Sequence, residues 1–129
     1  MMTGRRRDAA LSPSEQAAVR ELLDADRRRT IGRIALLGRD RDEIVTSSAL
    51  TAPDDEHDPE GTSTAFERTH VQALLDQART HLAELDRASE RLRDGTYGTC
   101  ARCGRRIPVE RLKILPAVRT CVPCASRRR

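Results

Sequence analysis

Aromatic residues are almost absent from this sequence of 129 residues, which contains one Phe, one Tyr and no Trp. A globular core of ordinary thickness usually buries several aromatic side chains. An elongated helical protein whose contacts are made by Leu, Ala and Val does not need them. The scarcity also disfavours proteins that bind single-stranded nucleic acid by stacking bases on aromatic side chains. Charged residues make up 34% of the chain, as expected for helices with exposed polar faces.

Long apolar runs are lacking as well. No stretch approaches the roughly 20 apolar residues that span a bilayer, so no membrane association is expected. The three arginines at residues 5–7 are not followed by a hydrophobic segment, which argues against a signal peptide. We therefore expect the protein in the cytoplasm, where thiols stay reduced and cysteines favour metal binding over disulfides.

The usual motifs of enzymes are missing. The sequence has no nucleophile elbow, no phosphate-binding loop and no pair of histidines at the helical spacing of a metal site. Its acidic residues are not arranged like a calcium-binding loop. We therefore predict that the protein is not an enzyme and that it has no catalytic or cofactor-binding residues other than those of a metal site.

Charge is distributed unevenly around a net value of +4. Residues 1–50 carry ten Arg and eight acids, and residues 51–99 carry five Arg and eleven acids. Residues 100–129 carry nine Arg or Lys and a single acid, which is a net charge of +8. The middle of the chain is thus acidic and its C-terminal segment is strongly basic.

A first helix is indicated at about residues 12–45. Ser12 is a favourable N-cap, Pro13 suits the first helical position, and Glu15 completes a capping box. Apolar residues then recur at mostly helical spacing, which predicts one buried face. They are Val19, Leu22, Leu23, Ile31, Ile34, Leu37 and Ile44.

A second helix is the most regular part of the sequence. Its start is indicated either by a capping box at Thr64 or by Asp58 as the cap and Pro59 as the first residue, and Gly95 is typical of a helix end. Apolar residues recur in heptads, as in a coiled coil with one additional row. The rows are Val71, Ala78, Leu85 and Leu92; Leu74, His81 and Ala88; and Leu75 with Leu82.

Four cysteines near the C-terminus stand in two Cys-x2-Cys pairs separated by seventeen residues. This spacing is typical of a zinc site, because two sulfurs in one turn can reach the same ion at about 2.3 Å. Four protein ligands leave no open position for water, so the zinc is predicted to be structural. The predicted ligands of one Zn²⁺ are Cys100, Cys103, Cys121 and Cys124.

Three other uses of these cysteines are weighed against zinc. Two disulfides are disfavoured by the expected reducing compartment. An iron–sulfur cluster also takes four cysteines, but its usual spacings differ. A redox-sensing set of thiols is the third, and zinc can be the resting state of such a set.

The expected fold is all-α: a long antiparallel helical hairpin, or coiled coil, with a small C-terminal four-cysteine zinc finger. Two long helices joined by a short loop fold back on each other. The hairpin covers residues 12–95, with an acidic tip near 54–61, and the finger covers 96–125. A flexible basic tail at 1–11 and a basic tail at 126–129 complete the predicted division.

A compact bundle of three or four helices, broken at the glycines of the first helix, is the alternative fold. The apolar stripe is too narrow for burial on several sides, which favours the hairpin. We expect a monomer, although pairing between two chains along the same stripe is the alternative.

The residues around the cysteines resemble the TraR/DksA-type zinc finger, and the predicted hairpin matches the architecture of that family. The resemblance implies a transcription factor that binds RNA polymerase through its secondary channel without needing DNA. Several members act together with the nucleotide alarmone ppGpp, which is therefore a candidate partner. The resemblance rests on the segment DGTYGTCARCG at 94–104, on Ile107-Pro108, Arg111-Leu112 and Pro116, and on CVPC at 121–124.

The same resemblance gives a role to the acidic loop between the helices. In the family, acidic residues at the hairpin tip approach the catalytic centre of the polymerase. The corresponding candidates are Asp54, Asp55, Asp58 and Glu60, of which Asp55 and Asp58 have the family's spacing. Glu60 stands where the best-known members have Ala. A merely solvated acidic loop is the alternative interpretation.

The leading functional prediction is a transcription regulator that inserts its tip into the secondary channel of RNA polymerase and modulates initiation. No sequence-specific DNA binding is expected, because no recognition helix follows the finger. One alternative is a zinc-ribbon protein that binds nucleic acid through its basic C-terminal segment. Another is a redox-responsive zinc adaptor that releases its metal on oxidation.

Overall fold

The computed structural model describes residues 10–50 and 59–127, and these residues form four helices. The long helices are α1 (Pro13–Leu50) and α2 (Pro59–Asp94). The short helices are α3 (Val109–Ile114) and α4 (Val122–Ser126). Extended pairing within the described residues is limited to one antiparallel bridge between Thr99 and Arg106. Within the described residues, no helix combines the length and the hydropathy that a transmembrane segment requires.

Helix α1 begins with the predicted capping box. The backbone N–H of Glu15 donates to Ser12 Oγ at 3.1 Å, and the backbone N–H of Ser12 donates to Glu15 Oε1 at 2.8 Å. Two amides without intrahelical partners are thereby satisfied, as the motif requires. The helix continues beyond the predicted end at residue 45 to Leu50. It also runs unbroken through its two glycines, so the alternative of helices interrupted there is wrong.

Helix α2 begins at the earlier of its two predicted starts, Pro59, and ends at Asp94. Gly95 follows with a φ of 86°, which an L side chain adopts only at a cost. The N–H groups of Thr96 and Tyr97 both donate to Arg91 O, at 3.0 and 3.1 Å, and close the last turn. The predicted C-cap at Gly95 is confirmed.

The described part of residues 1–27 and 84–129 packs as one compact unit. Val19 and Leu23 of α1 lie in one core cluster with Leu85 and Ala88 of α2, and all four side chains are almost fully buried. The N-terminal part of α1 therefore pairs with the C-terminal part of α2, which is the antiparallel arrangement predicted. The same cluster includes finger residues, namely Tyr97, Cys100, Ile107, Leu112, Cys121 and Cys124.

Residues 28–83 form a second compact unit. Leu75 and Ala78 of α2 are buried there, together with Thr30 of α1. Ile31, which the helical spacing placed on the buried face, is instead 42% exposed, whereas every member of the α2 heptad rows is buried or half-buried. The heptad rows of α2 therefore predict burial better than the less regular spacing of α1.

Candidate metal centre

The first cysteine pair lies in a tight turn between two extended segments. Cys100 N–H donates to Arg105 O at 2.8 Å, and Ile107 N–H donates to Gly98 O at 2.8 Å. Gly104 N–H donates back to Cys100 O at 3.0 Å and closes the turn. Gly98 and Gly104 have φ values of 86° and 77°, which explains why glycine flanks this pair.

The second cysteine pair lies at the start of α4. Cys121 is the N-cap residue, Pro123 follows within the first turn, and Cys124 is buried in the helix. Ala125 N–H donates to Cys121 O at 3.0 Å, so one helical turn brings the two sulfurs to the same side. The x2 spacing is thus realised by a hydrogen-bonded turn over residues 100–104 in one pair and by a helical turn in the other.

The four thiols come together as predicted, with their sulfur atoms all within 4.8 Å of one another. Cys103 Sγ and Cys121 Sγ are 3.7 Å apart. Two sulfurs bound at about 2.3 Å to a tetrahedral ion stand about 3.8 Å apart, so the donor set fits zinc. A disulfide needs about 2.05 Å, and all four cysteines are free. The described segment therefore forms a four-cysteine site positioned to bind one metal ion.

The backbone around the site favours ionised sulfur at one cysteine. The N–H of Cys103, with smaller contributions from the N–H groups of Cys121 and Arg102, lowers the pKa of Cys100 below the ordinary thiol value. The neighbouring Cys121 sulfur, followed by burial, raises the pKa of Cys124. Four adjacent thiols cannot all carry charge without a cation, so metal binding displaces protons from them.

Two side-chain hydrogen bonds outside the metal site hold the finger together. Tyr97 follows α2 and donates its hydroxyl to Pro116 O at 2.7 Å. The Nε–H of Arg111 in α3 donates to Thr120 O at 3.0 Å, directly before the second cysteine pair. These two contacts were not predicted, because only tertiary structure shows which carbonyl lies opposite each side chain.

The predicted tip residues Asp54, Asp55 and Asp58 lie outside the described residues. Glu60 lies in the first turn of α2. The predicted acidic tip, like the predicted division of the chain at 1–11, 12–95, 96–125 and 126–129, stays a prediction.

Comparison with known proteins identifies the finger. Residues 95–129 match the family described as "Prokaryotic dksA/traR C4-type zinc finger". The structure is similar to that of transcription factor DksA2 from Pseudomonas aeruginosa, with a TM-score of 0.75 over 90% of this chain and 84% of that one. At 24% sequence identity, this likeness establishes the fold. The predicted all-α fold and the predicted zinc cofactor are confirmed.

Curated relatives align with about half of this chain. The chain is 42% identical over 62 residues to an uncharacterized protein of Aquifex aeolicus (strain VF5), covering 45% of this chain and 43% of that protein. It is 35% identical over 68 residues to general stress protein 16O of Bacillus subtilis (strain 168), covering 53% of this chain and 42% of that protein. The chain thus spans less than half the length of these relatives.

Proposed function

Because the chain is a TraR/DksA family protein by its finger and its fold, we propose that it is a transcription regulator that binds RNA polymerase. Its hairpin enters the secondary channel of the enzyme and modulates initiation. The observation that carries this proposal is the combination of a dksA/traR-type C4 finger with the two long helices of the DksA2 fold, because DksA2 is a transcription factor. Such a role places the protein with polymerase in the cytoplasm.

The metal centre supports a role in binding rather than in catalysis. Four cysteines surround the site, so a bound zinc ion has no open position at which to activate water. The zinc instead holds together a segment that is too short to fold around an apolar core alone. We therefore propose that the protein acts without enzymatic activity of its own.

The acidic residues between α1 and α2 are the proposed effector part. Asp54, Asp55 and Asp58 precede α2 and Glu60 lies in its first turn, so their four negative charges fall within seven residues of the sequence. Like charges this close favour a cation or a basic partner, and the Mg²⁺ and basic groups of a polymerase channel offer both. ppGpp is a candidate co-regulator on family grounds alone.

A competition assay with purified core RNA polymerase tests the proposal. Labelled protein is expected to bind the polymerase at moderate salt without DNA, and unlabelled DksA2 is expected to displace it. Binding that requires DNA, or that DksA2 does not displace, would contradict the proposal. The same assay with a duplex oligonucleotide in place of polymerase tests the alternative of a nucleic-acid-binding protein, for which affinity should fall steeply with salt.

Charge reversal separates the role of the tip from binding. The double variant Asp55→Lys, Asp58→Lys is expected to bind polymerase nearly as well as the parent chain but to lose its effect on initiation at unstable promoters. Asp40→Lys with Glu43→Lys makes the same charge change at exposed positions of α1 and is the control. Equal effects of the two double variants on initiation would show that general charge, not the tip, is responsible.

A further inference from the structure

A groove of about 420 Å³ lies on the finger beside the metal centre. Three of the four cysteines form one end of it, and that end belongs to the metal site. The remainder is formed by the residues that follow the first cysteine pair and by α4 with the residue after it. These lining residues are Arg105, Arg106, Pro108, Val122, Pro123 and Arg127.

All charged side chains that line the groove are positive. A zinc ion with four thiolates carries a net charge of −2, which the three arginines outweigh. Arg106 is held in the finger, since its Nη1 lies 3.4 Å from both Tyr97 O and Thr99 Oγ1. Arg105 and Arg127 are exposed and make no side-chain hydrogen bond or ion pair within the described residues. They are therefore available to an anionic group from outside.

The groove also has an apolar component. Val122 is 54% exposed although it stands directly after the buried Cys121, and Pro108 and Pro123 are exposed beside it. Covering apolar surface of this kind with an apolar side chain is favourable, because it removes the surface from water. An ion alone would leave this surface in water.

We infer that this groove binds an acidic segment of another polypeptide that also presents an apolar side chain. Its carboxylates pair with Arg105 and Arg127, because a planar guanidinium group can bind a carboxylate through two parallel hydrogen bonds. Its apolar side chain covers Val122 and the two prolines. A nucleic-acid strand would satisfy the arginines but not the apolar surface, and the groove lining contains no aromatic ring on which a base can stack.

The surface is distinct from the acidic tip, so its test does not depend on polymerase. The probe is a short labelled peptide that alternates glutamate and leucine, titrated into the zinc-loaded full-length chain. Arg105→Glu with Arg127→Glu is expected to weaken binding at least about tenfold, because two attractive contacts become repulsive. Val122→Thr, which keeps the shape of the side chain, is expected to weaken binding severalfold.

Matched controls separate the groove from the general basic charge of the finger. Lys113→Glu with Arg119→Glu makes the same charge change at exposed positions outside the groove. Zinc content is measured in every variant, so that loss of folding is recognised. The inference is overturned if the parent chain does not bind the peptide, or if both double variants weaken binding equally. It is also overturned if a labelled oligothymidylate binds more tightly than the peptide and is equally sensitive to the groove substitutions.

Discussion

Cysteine is the residue type on which the C-terminal segment depends. Cys100, Cys121 and Cys124 are buried members of the core cluster, whereas Cys103 is exposed. The core cluster holds few large apolar side chains from the finger itself, namely Tyr97, Ile107 and Leu112. The metal therefore supplies stability that a larger apolar core would supply elsewhere.

Replacing one ligand should remove the metal altogether. Cys121→Ser is expected to abolish stoichiometric zinc and to unfold residues 96–125. Structural zinc contributes about 10–16 kcal/mol of apparent binding free energy, and whole domains are stable by only about 5–15 kcal/mol. Metal analysis of the purified variant measures the first effect and circular dichroism the second. Lys113→Ala, in the same segment, is the control, and a Cys121→Ser variant with unchanged zinc content would refute the assignment.

Tyr97 makes the finger sensitive to high pH. Burial raises the pKa of its phenol to about 12, compared with about 10 in an unfolded chain. The neutral phenol also donates to Pro116 O at 2.7 Å. A folded pKa above the unfolded one means that this stabilisation is complete below pH 10 and is lost as pH rises from about 10 to about 12.

The ionisation of Tyr97 can be followed by absorbance without interference, because the chain has one Tyr and no Trp. Near-ultraviolet absorbance of tyrosinate, followed alongside circular dichroism, should show ionisation only well above pH 10 in the zinc-loaded protein. A chain denatured in urea should titrate near the ordinary value. Titration of the folded protein at that same ordinary value would mean that the hydroxyl is not buried as described.

Two glycines of the long helices are expected to respond in opposite ways to substitution by alanine. Gly32 lies within α1 and Gly95 directly after α2, and a Cβ at either position would meet no atom within 4 Å beyond the adjacent backbone. The difference between them is the backbone, since Gly95 has a φ of +86°. The two positions therefore form a matched pair for substitution by alanine.

Gly32→Ala is expected to stabilise the protein by roughly 0.5–1 kcal/mol, because alanine is the better helix former and nothing obstructs its methyl group. Gly95→Ala is expected to destabilise it by about 1–2 kcal/mol, because a left-handed conformation brings Cβ too close to the following carbonyl oxygen. Chemical denaturation of the zinc-loaded proteins measures both. A change of the same sign in the two variants would contradict the helix end described at Gly95.

The helices were predicted well where the signal is local. The capping box at Ser12 and the end at Gly95 depend on hydrogen bonds within a few residues, and both are present. The extension of α1 to Leu50 was missed, because the serines and threonine after residue 45 are weak helix formers, yet the helix continues through them. Ile31 was misplaced because spacing gives a helix face but not the width of its contact.

At the scale of the whole molecule, zinc and helix packing share one core. The cluster that contains three cysteines also contains Val19, Leu23, Leu85 and Ala88 of the long helices. Within the described chain it includes no residue of the unit at 28–83. Loss of the metal should therefore reach beyond the finger, into the parts of α1 and α2 that pack in this cluster.

Metal removal by a chelator tests this coupling. Amide hydrogen exchange is expected to accelerate in the finger and also at residues 13–27 and 84–94, with a smaller change in residues 28–83. Readdition of zinc should restore protection, which excludes irreversible damage. Accelerated exchange confined to residues 96–125 would show that the helices pack independently of the metal centre.

The two Cys-x2-Cys pairs, the helical class and the caps at Ser12 and Gly95 were determined by the sequence alone, because each depends on spacing over one or two turns. Tertiary structure alone decided which members of the apolar rows are buried and that Cys103 is the exposed one of the four cysteines. It likewise decided that the hydroxyl of Tyr97 donates to Pro116 O. It also decided that residues far apart in sequence, Arg105 and Arg127, line one groove. Periodicity specifies a direction around a helix axis, whereas burial depends on what another segment places in that direction.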